Sequence, residues 1–133
     1  GQEALMSLKT FTAAYIEAAL WSSTADEKGS PMDQDYGPSD IASETRAKME
    51  KDCQEFYGDY ESEWTEGGWS DEQAGHDFWL TRNGHGAGFW DRNFDGGAAK
   101  RTSFSLAGSL AKGAKAYFGF DLYIGDDGKV HGQ

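Results

Sequence analysis

The chain has 133 residues and a formal net charge of −11 at neutral pH, and 14% of its residues are aromatic. This length predicts one domain, and the aromatic content is sufficient for a hydrophobic core. A strongly acidic protein repels nucleic acid and anionic membranes at long range, so we expect it to bind neither directly. No apolar run approaches the roughly 20 residues that span a bilayer. The N-terminus lacks the features of a signal peptide, and residues 1–5 are interpreted as an addition ahead of a natural start at Met6.

The charge is concentrated in one part of the chain. The range 33–72 contains thirteen acidic residues against three basic ones, about −10 of the total charge. Such a segment attracts basic surfaces, including those that normally hold nucleic acid. The one cysteine, Cys53, lies among apolar positions and is predicted to be a buried, unreactive thiol in a reducing cytoplasm.

Two helices are predicted in the first half. Residues 8–22 carry apolar side chains at helical spacing, with Leu20 and Trp21 widening the buried stripe. A polar loop over 23–38 follows. The second helix runs from Ser39 to about Tyr60, with Ser39-Asp40 or Ser43-Glu44 as its N-terminal cap. Its predicted buried stripe recurs at i, i+4, i+7 and i+11 and consists of Met49, Cys53, Phe56 and Tyr60.

The stretch 74–92 carries the aromatic pairs Phe78-Trp79 and Phe89-Trp90 on either side of a glycine-rich segment around Gly84. Asn and Gly at a turn between apolar runs are typical of a β-hairpin, which we predict over 76–92. Ser70-Asp71-Glu72 is expected to form one helical turn before it.

The last third predicts a helix over 103–118 and a short second hairpin. In that hairpin Asp126-Asp127-Gly128 is the turn between residues 121–124 and 129–131. Two hairpins joined in a small antiparallel sheet and packed against about three helices make an α+β single domain over 1–133.

The chain resembles a group of small acidic proteins carried by bacteriophages and related mobile elements. The resemblance is carried by Ala74 to Arg92, the segments 18–23 and 40–42, and the ending Asp121 to Gly128. It implies a phage or prophage setting, and therefore a bacterial host cytoplasm, but no catalytic residues, because the group has no assigned biochemical activity. Residues 93–104 depart from the group's pattern by being longer and richer in glycine.

Charged and histidine side chains on the predicted hairpin have two interpretations. Cross-strand Asp–Arg pairs that frame a tryptophan cluster are the structural one, which we favour. The functional one is a pocket for a small polar ligand or substrate, lined by His76, Asp77, Arg82, His85 and Asp91. No nucleophile–base signature accompanies them, so an enzyme is the less favoured hypothesis and no cofactor is expected.

Metal binding receives only weak support. Asp91, Asn93 and Asp95 match the first half of a calcium loop, but the twelfth position is Thr102 where a bidentate Glu is required. An Asp/Asn/Gly turn is therefore the default interpretation.

The acidic second helix and the residues after it are the alternative functional surface. A solvated face is the ordinary explanation, but tyrosine and tryptophan are frequent interface anchors. The predicted partner-binding residues are Glu50, Asp52, Glu55, Tyr57, Asp59, Tyr60, Glu61, Glu63, Trp64, Glu66 and Trp69.

Three functional hypotheses follow. The first is a non-enzymatic phage accessory protein that binds a basic protein, in its strongest form a nucleic-acid mimic that inhibits a host defence nuclease or another DNA-handling protein. The second is a small enzyme or ligand-binding domain with its site on the 76–92 hairpin. The third is a structural dimerisation module that uses exposed tryptophans.

Overall fold

The computed structural model describes residues 2–23, 31–66, 68–83, 110, 112–117 and 119–133. In these ranges there are three long α-helices, α1 (Gln2–Ser22), α2 (Ser43–Glu66) and α3 (Asp71–Arg82), a shorter helical stretch at 112–115, and two strands, β1 (Leu122–Ile124) and β2 (Val130–Gly132). Two short 3-10 helices, Met32–Gln34 and Pro38–Asp40, lie between α1 and α2. None of the helices described here combines the length and apolarity needed to cross a membrane.

Helices α1 and α3 form the closest pair. They meet where Gly75 of α3 lies against the backbone carbonyl of Phe11, a position at which an added Cβ would collide with main-chain atoms. The approach is anchored at a second point, because the Trp79 indole N–H donates to Ser22 Oγ across 2.7 Å. A glycine at the crossing therefore determines how deeply α3 packs onto α1.

Aromatic rings from all three helices make up the centre of the core. Phe11 stacks on Trp64 at a centroid distance of 5.0 Å, and Phe56 stacks on Phe78 at 4.1 Å. All four side chains are fully buried. The predicted stripe of α2 is confirmed, since Met49, Cys53 and Phe56 are buried and Tyr60 packs at the edge. Cys53 is buried as predicted, and the loss of hydration raises the pKa of its thiol.

The C-terminal hairpin is confirmed as a two-stranded antiparallel sheet, with Tyr123 opposite His131. Its turn contains Gly128 at φ 77°, the left-handed region that glycine adopts without strain. The outer edge of β2 is attached to the segment before α2, because Ala42 N–H donates to the Val130 carbonyl across 2.8 Å. The hairpin is thereby held at the N-terminal end of α2.

The predicted first hairpin is wrong in its first arm. Residues 71–82 form α3, not one helical turn followed by a strand. Ser70 caps this helix, its Oγ accepting from Gln73 N–H, and Asp71 and Glu72 occupy the first turn, where the helix dipole favours carboxylates. The rest of the predicted hairpin, over 84–92, lies outside the residues that the structure describes.

The second and third predicted helices need smaller corrections. Helix α2 begins at Ser43 and continues to Glu66. The Ala42 carbonyl accepts the first helical hydrogen bond, from Arg46 N–H, so Ala42 occupies the cap position and neither predicted cap, Ser39-Asp40 or Ser43-Glu44, is confirmed. Asp40 belongs instead to the preceding 3-10 turn, where its carboxylate accepts from Gly37 N–H across 2.7 Å. Within the predicted helix 103–118, residues 112–115 are helical and residues 116–117 form a turn.

Candidate functional site: an acidic helix face and a groove between α1 and α3

Arg82, a candidate for the predicted pocket, lies in the interior. Its guanidinium donates to Asp52 Oδ2 across 2.9 Å and to the Tyr15 hydroxyl across 2.8 Å. It also donates to the Tyr117 carbonyl, and its cation lies within 6 Å of three aromatic rings, among them Phe120 at 5.5 Å. Arg82 thus joins α1, α2, α3 and the C-terminal segment, which is a structural role.

His76 and Asp77 do not converge with Arg82 on one site. Six positions separate His76 from Arg82 on α3, so their side chains leave the helix about 120° apart. Asp77 is fully buried, whereas the His76 side chain is 36% exposed and approaches Asp77 only to 3.9 Å. The other two candidates, His85 and Asp91, fall outside the described residues. The part of the pocket that the structure covers is therefore divided between the core and the surface.

In the described ranges, no three His, Cys, Asp or Glu side chains are arranged to hold a metal ion. The calcium candidates Asp91, Asn93 and Asp95 lie outside those ranges. His131, the remaining histidine, lies on β2 and contacts the Asp127 carboxylate at 2.9 Å.

The carboxylates predicted to bind a partner form a face on the second half of α2. Glu55, Asp59 and Glu66 are exposed, while Glu61 and Glu63 are partly exposed beside them. Residues 55, 59, 63 and 66 recur at intervals of four, four and three, which places them on one side of the helix over about 16 Å. We call Glu55, Asp59, Glu63 and Glu66 the acidic face.

Three of the predicted contact residues are removed from this surface by burial. Asp52 is paired with Arg82 and Lys48. Trp64 is fully enclosed and donates from its indole N–H to Asp71 Oδ1 across 2.9 Å, and Trp69 is only 4% exposed. Tyr57 and Tyr60 are half-buried against the core, and Glu50 is exposed but pairs with Arg46. The remaining surface is thus more purely acidic than predicted.

The charges of α2 are arranged against its own dipole. Its basic residues, Arg46, Lys48 and Lys51, lie in the first half of the helix, and its last turn contains no basic residue. The C-terminal end of a helix carries partial negative charge, so carboxylates there cost stability, about 0.3–1 kcal/mol each. Glu66, in the last turn, is therefore placed unfavourably relative to the helix dipole.

The sequence from the middle of α2 to the end of α3 is strongly acidic. Between Lys51 and Arg82 the chain contains nine carboxylates and neither lysine nor arginine. Unbalanced charge of one sign on one surface focuses the electrostatic potential outward and attracts a partner of opposite sign.

No known protein family, curated protein or solved structure matches this chain.

A second surface feature was missed by the sequence interpretation. Trp21 was assigned to the buried stripe of α1, but its side chain is 56% exposed, whereas Trp64, Trp69 and Trp79 are at most 4% exposed. It lies beside His76, with ring centroids 5.9 Å apart. The sequence does contain a signal for this exposure. Glu17 lies four residues before Trp21, so both side chains are on one face of α1, and a face that carries a charged residue differs from the apolar stripe that enters the core.

Proposed function

We propose that this protein is a non-enzymatic accessory protein, of a phage or mobile element, that binds a basic surface on another protein through the acidic face. The observation that carries the proposal is the series of exposed and partly exposed carboxylates along one side of the second half of α2, which ends in a last turn without basic residues. The phage setting rests on the sequence resemblance alone.

The face supports one specific form of this function. Its carboxylates succeed one another about 4.5–6 Å apart along a rigid helix, a regular row of negative charge like the backbone of a nucleic acid. A row of this kind fits a channel or cleft built for phosphates. The partner class is therefore a basic nucleic-acid-binding protein, and occupation of its channel excludes DNA.

Competition with DNA tests this proposal. A panel of purified basic DNA-binding proteins and nucleases is incubated with labelled duplex DNA and increasing amounts of the protein, at low and at moderate salt. We expect at least one panel member to release DNA, with an inhibition that weakens as salt rises, because the interaction is between charges.

A matched control variant distinguishes the effect of where the carboxylates lie from the effect of net charge. Glu55→Gln with Asp59→Asn and Glu66→Gln removes three charges from the acidic face, and Asp33→Asn with Asp35→Asn and Glu44→Gln removes three exposed charges elsewhere. The first variant is expected to lose inhibition at least tenfold more than the second. Equal loss in the two variants, or no displacement of DNA from any panel member at low salt, would overturn the proposal.

A further inference from the structure

A groove runs along the surface where α1 and α3 lie side by side. Glu17 of α1 and Glu72 of α3 are both exposed and line it from opposite helices, and His76 lines it further along α3. Its volume is about 440 Å³. Trp21 stands next to it through its ring contact with His76. We call this feature, with Glu17, Trp21, Glu72 and His76, the α1–α3 groove.

Trp21 is an exposed aromatic side chain beside the groove. More than half of its side chain contacts solvent, although the indole is the largest apolar side chain available for burial. Its position four residues after Glu17 puts a carboxylate and an indole face on the same side of α1. Together they are suited to a ligand group that is both cationic and flat.

His76 adds an imidazole ring to the lining of the groove. Its Nδ1 is buried, has no hydrogen-bond partner and lies 3.9 Å from the fully buried carboxylate of Asp77. The His76 side chain is 36% exposed and lines the groove. The groove therefore presents two carboxylates and the edge of an imidazole ring.

We propose that the α1–α3 groove binds an arginine side chain of the basic partner. This inference rests on the proposed function and names the anchor contact of that interaction. A planar guanidinium donates in several directions at once, here to the carboxylates of Glu17 and Glu72, and its face stacks on the Trp21 indole beside the groove. Arginine and tryptophan are also the side chains most often found at energetic centres of interfaces.

Charge complementarity selects this occupant over others. An apolar side chain would leave both carboxylates facing it without compensation. A lysine ammonium satisfies a carboxylate but is a compact charge that cannot stack in the plane of the indole. A second copy of the chain would bring further negative charge to a surface that already carries it.

The test measures selectivity with defined probes. Binding of a short oligoarginine peptide and of an oligolysine peptide of equal length is titrated by calorimetry at low salt, and the indole and imidazole NMR signals of Trp21 and His76 are followed. We expect threefold to tenfold tighter binding of oligoarginine, with both residues' signals shifting on saturation. Trp21→Ala is expected to reduce the preference to near one while leaving oligolysine binding almost unchanged.

The groove carboxylates are tested with a charge-matched pair. Glu17→Gln with Glu72→Gln is expected to weaken oligoarginine binding several-fold more than Asp33→Asn with Asp35→Asn. Circular dichroism and the unfolding midpoint check that each variant is folded. We expect both to fold, because all four replaced side chains are exposed.

The outcomes distinguish the two proposals. A variant lacking the charges of the acidic face is expected to bind both peptides more weakly while keeping its preference for arginine. Suppose that this variant no longer displaces DNA and that the wild type shows no preference for arginine. The proposed function would then be supported, and the proposal that the groove binds arginine would be overturned. A preference that survives Trp21→Ala would overturn it too, as would concentration-dependent dimers in sedimentation that disappear in Trp21→Ala.

Discussion

The Arg82 guanidinium donates to the Asp52 carboxylate across 2.9 Å, and the two side chains are only 2% and 3% exposed. Removing one partner of a buried pair leaves the other charge without compensation. Arg82→Met is therefore expected to lower the free energy of unfolding by about 3–5 kcal/mol. Urea denaturation followed by circular dichroism measures it.

The control for that prediction is the exposed pair of Arg46 and Glu50, with side chains 41% and 54% exposed. Arg46→Met is expected to cost less than about 1 kcal/mol because solvent screens the pair. If Arg46→Met and Arg82→Met cost the same, the buried pair does not organise the core. Adding Asp52→Leu to Arg82→Met should recover part of the loss, since it removes the isolated carboxylate.

Replacing Gly75 or Gly58 by alanine is expected to change the stability of the protein in opposite directions. Gly75→Ala places a methyl group against the Phe11 carbonyl and must push α3 away from α1, at an expected cost of about 1–3 kcal/mol. Gly58, inside α2, has open space around it, so Gly58→Ala is expected to stabilise by about 0.5–1 kcal/mol. Thermal unfolding of both variants decides the matter. A stabilising Gly75→Ala would contradict the crossing.

Cys53 predicts how stability depends on pH in the alkaline range. Burial raises the pKa of its thiol, so the folded protein keeps the proton at a pH where the unfolded chain, with a thiol pKa of about 8.5, has lost it. The unfolded state then binds fewer protons than the folded state, and the stability contributed below about pH 8.5 is lost as the pH rises.

Denaturation curves at pH 7 and pH 9.5 measure this effect. The wild type is expected to lose up to about 1.4 kcal/mol per pH unit above the unfolded thiol pKa from this one group. Cys53→Ala is less stable at neutral pH, since it leaves a cavity, but its free energy of unfolding should fall less between the two pH values. An identical pH dependence in the two proteins would show that the thiol ionises freely in the folded state. A thiol reagent should modify Cys53 only on unfolding.

Replacing the last carboxylate of the acidic face is expected to raise stability and to weaken binding of the partner. Glu66 lies at the C-terminal end of α2, where a lysine interacts favourably with the helix dipole. Glu66→Lys is therefore expected to raise the free energy of unfolding by about 0.3–1 kcal/mol, and to weaken displacement of DNA from a basic partner. Glu55→Lys, near the middle of the helix, should weaken displacement similarly without the gain in stability. A Glu66→Lys variant that is less stable than the wild type would argue that the carboxylate has a structural contact.

Much of the helical architecture could be predicted from periodicity. The buried stripe of α2 and the short C-terminal hairpin were recognisable because Met49, Cys53 and Phe56 recur at helical spacing and Asp127-Gly128 is a turn signal. The prediction of a strand for the first arm of the 76–92 hairpin was wrong. Phe78-Trp79 is an adjacent aromatic pair, which is compatible both with a strand and with a helix that is buried on several sides. Ser70 as a cap, with two carboxylates in the following turn, was the signal that favoured the helix.

The sequence by itself determined where the charge lies, that Cys53 enters the core and that the C-terminal segment pairs with itself, because these depend on composition and on neighbours along the chain. The tertiary structure decided which charged and aromatic residues stay accessible. Asp52 leaves the acidic surface because it meets Arg82 of α3, thirty residues further along the chain, and Trp64 because it is enclosed among the core aromatic rings, whereas Trp21 stays exposed. Pairing across such distances depends on how helices cross, which local spacing does not specify.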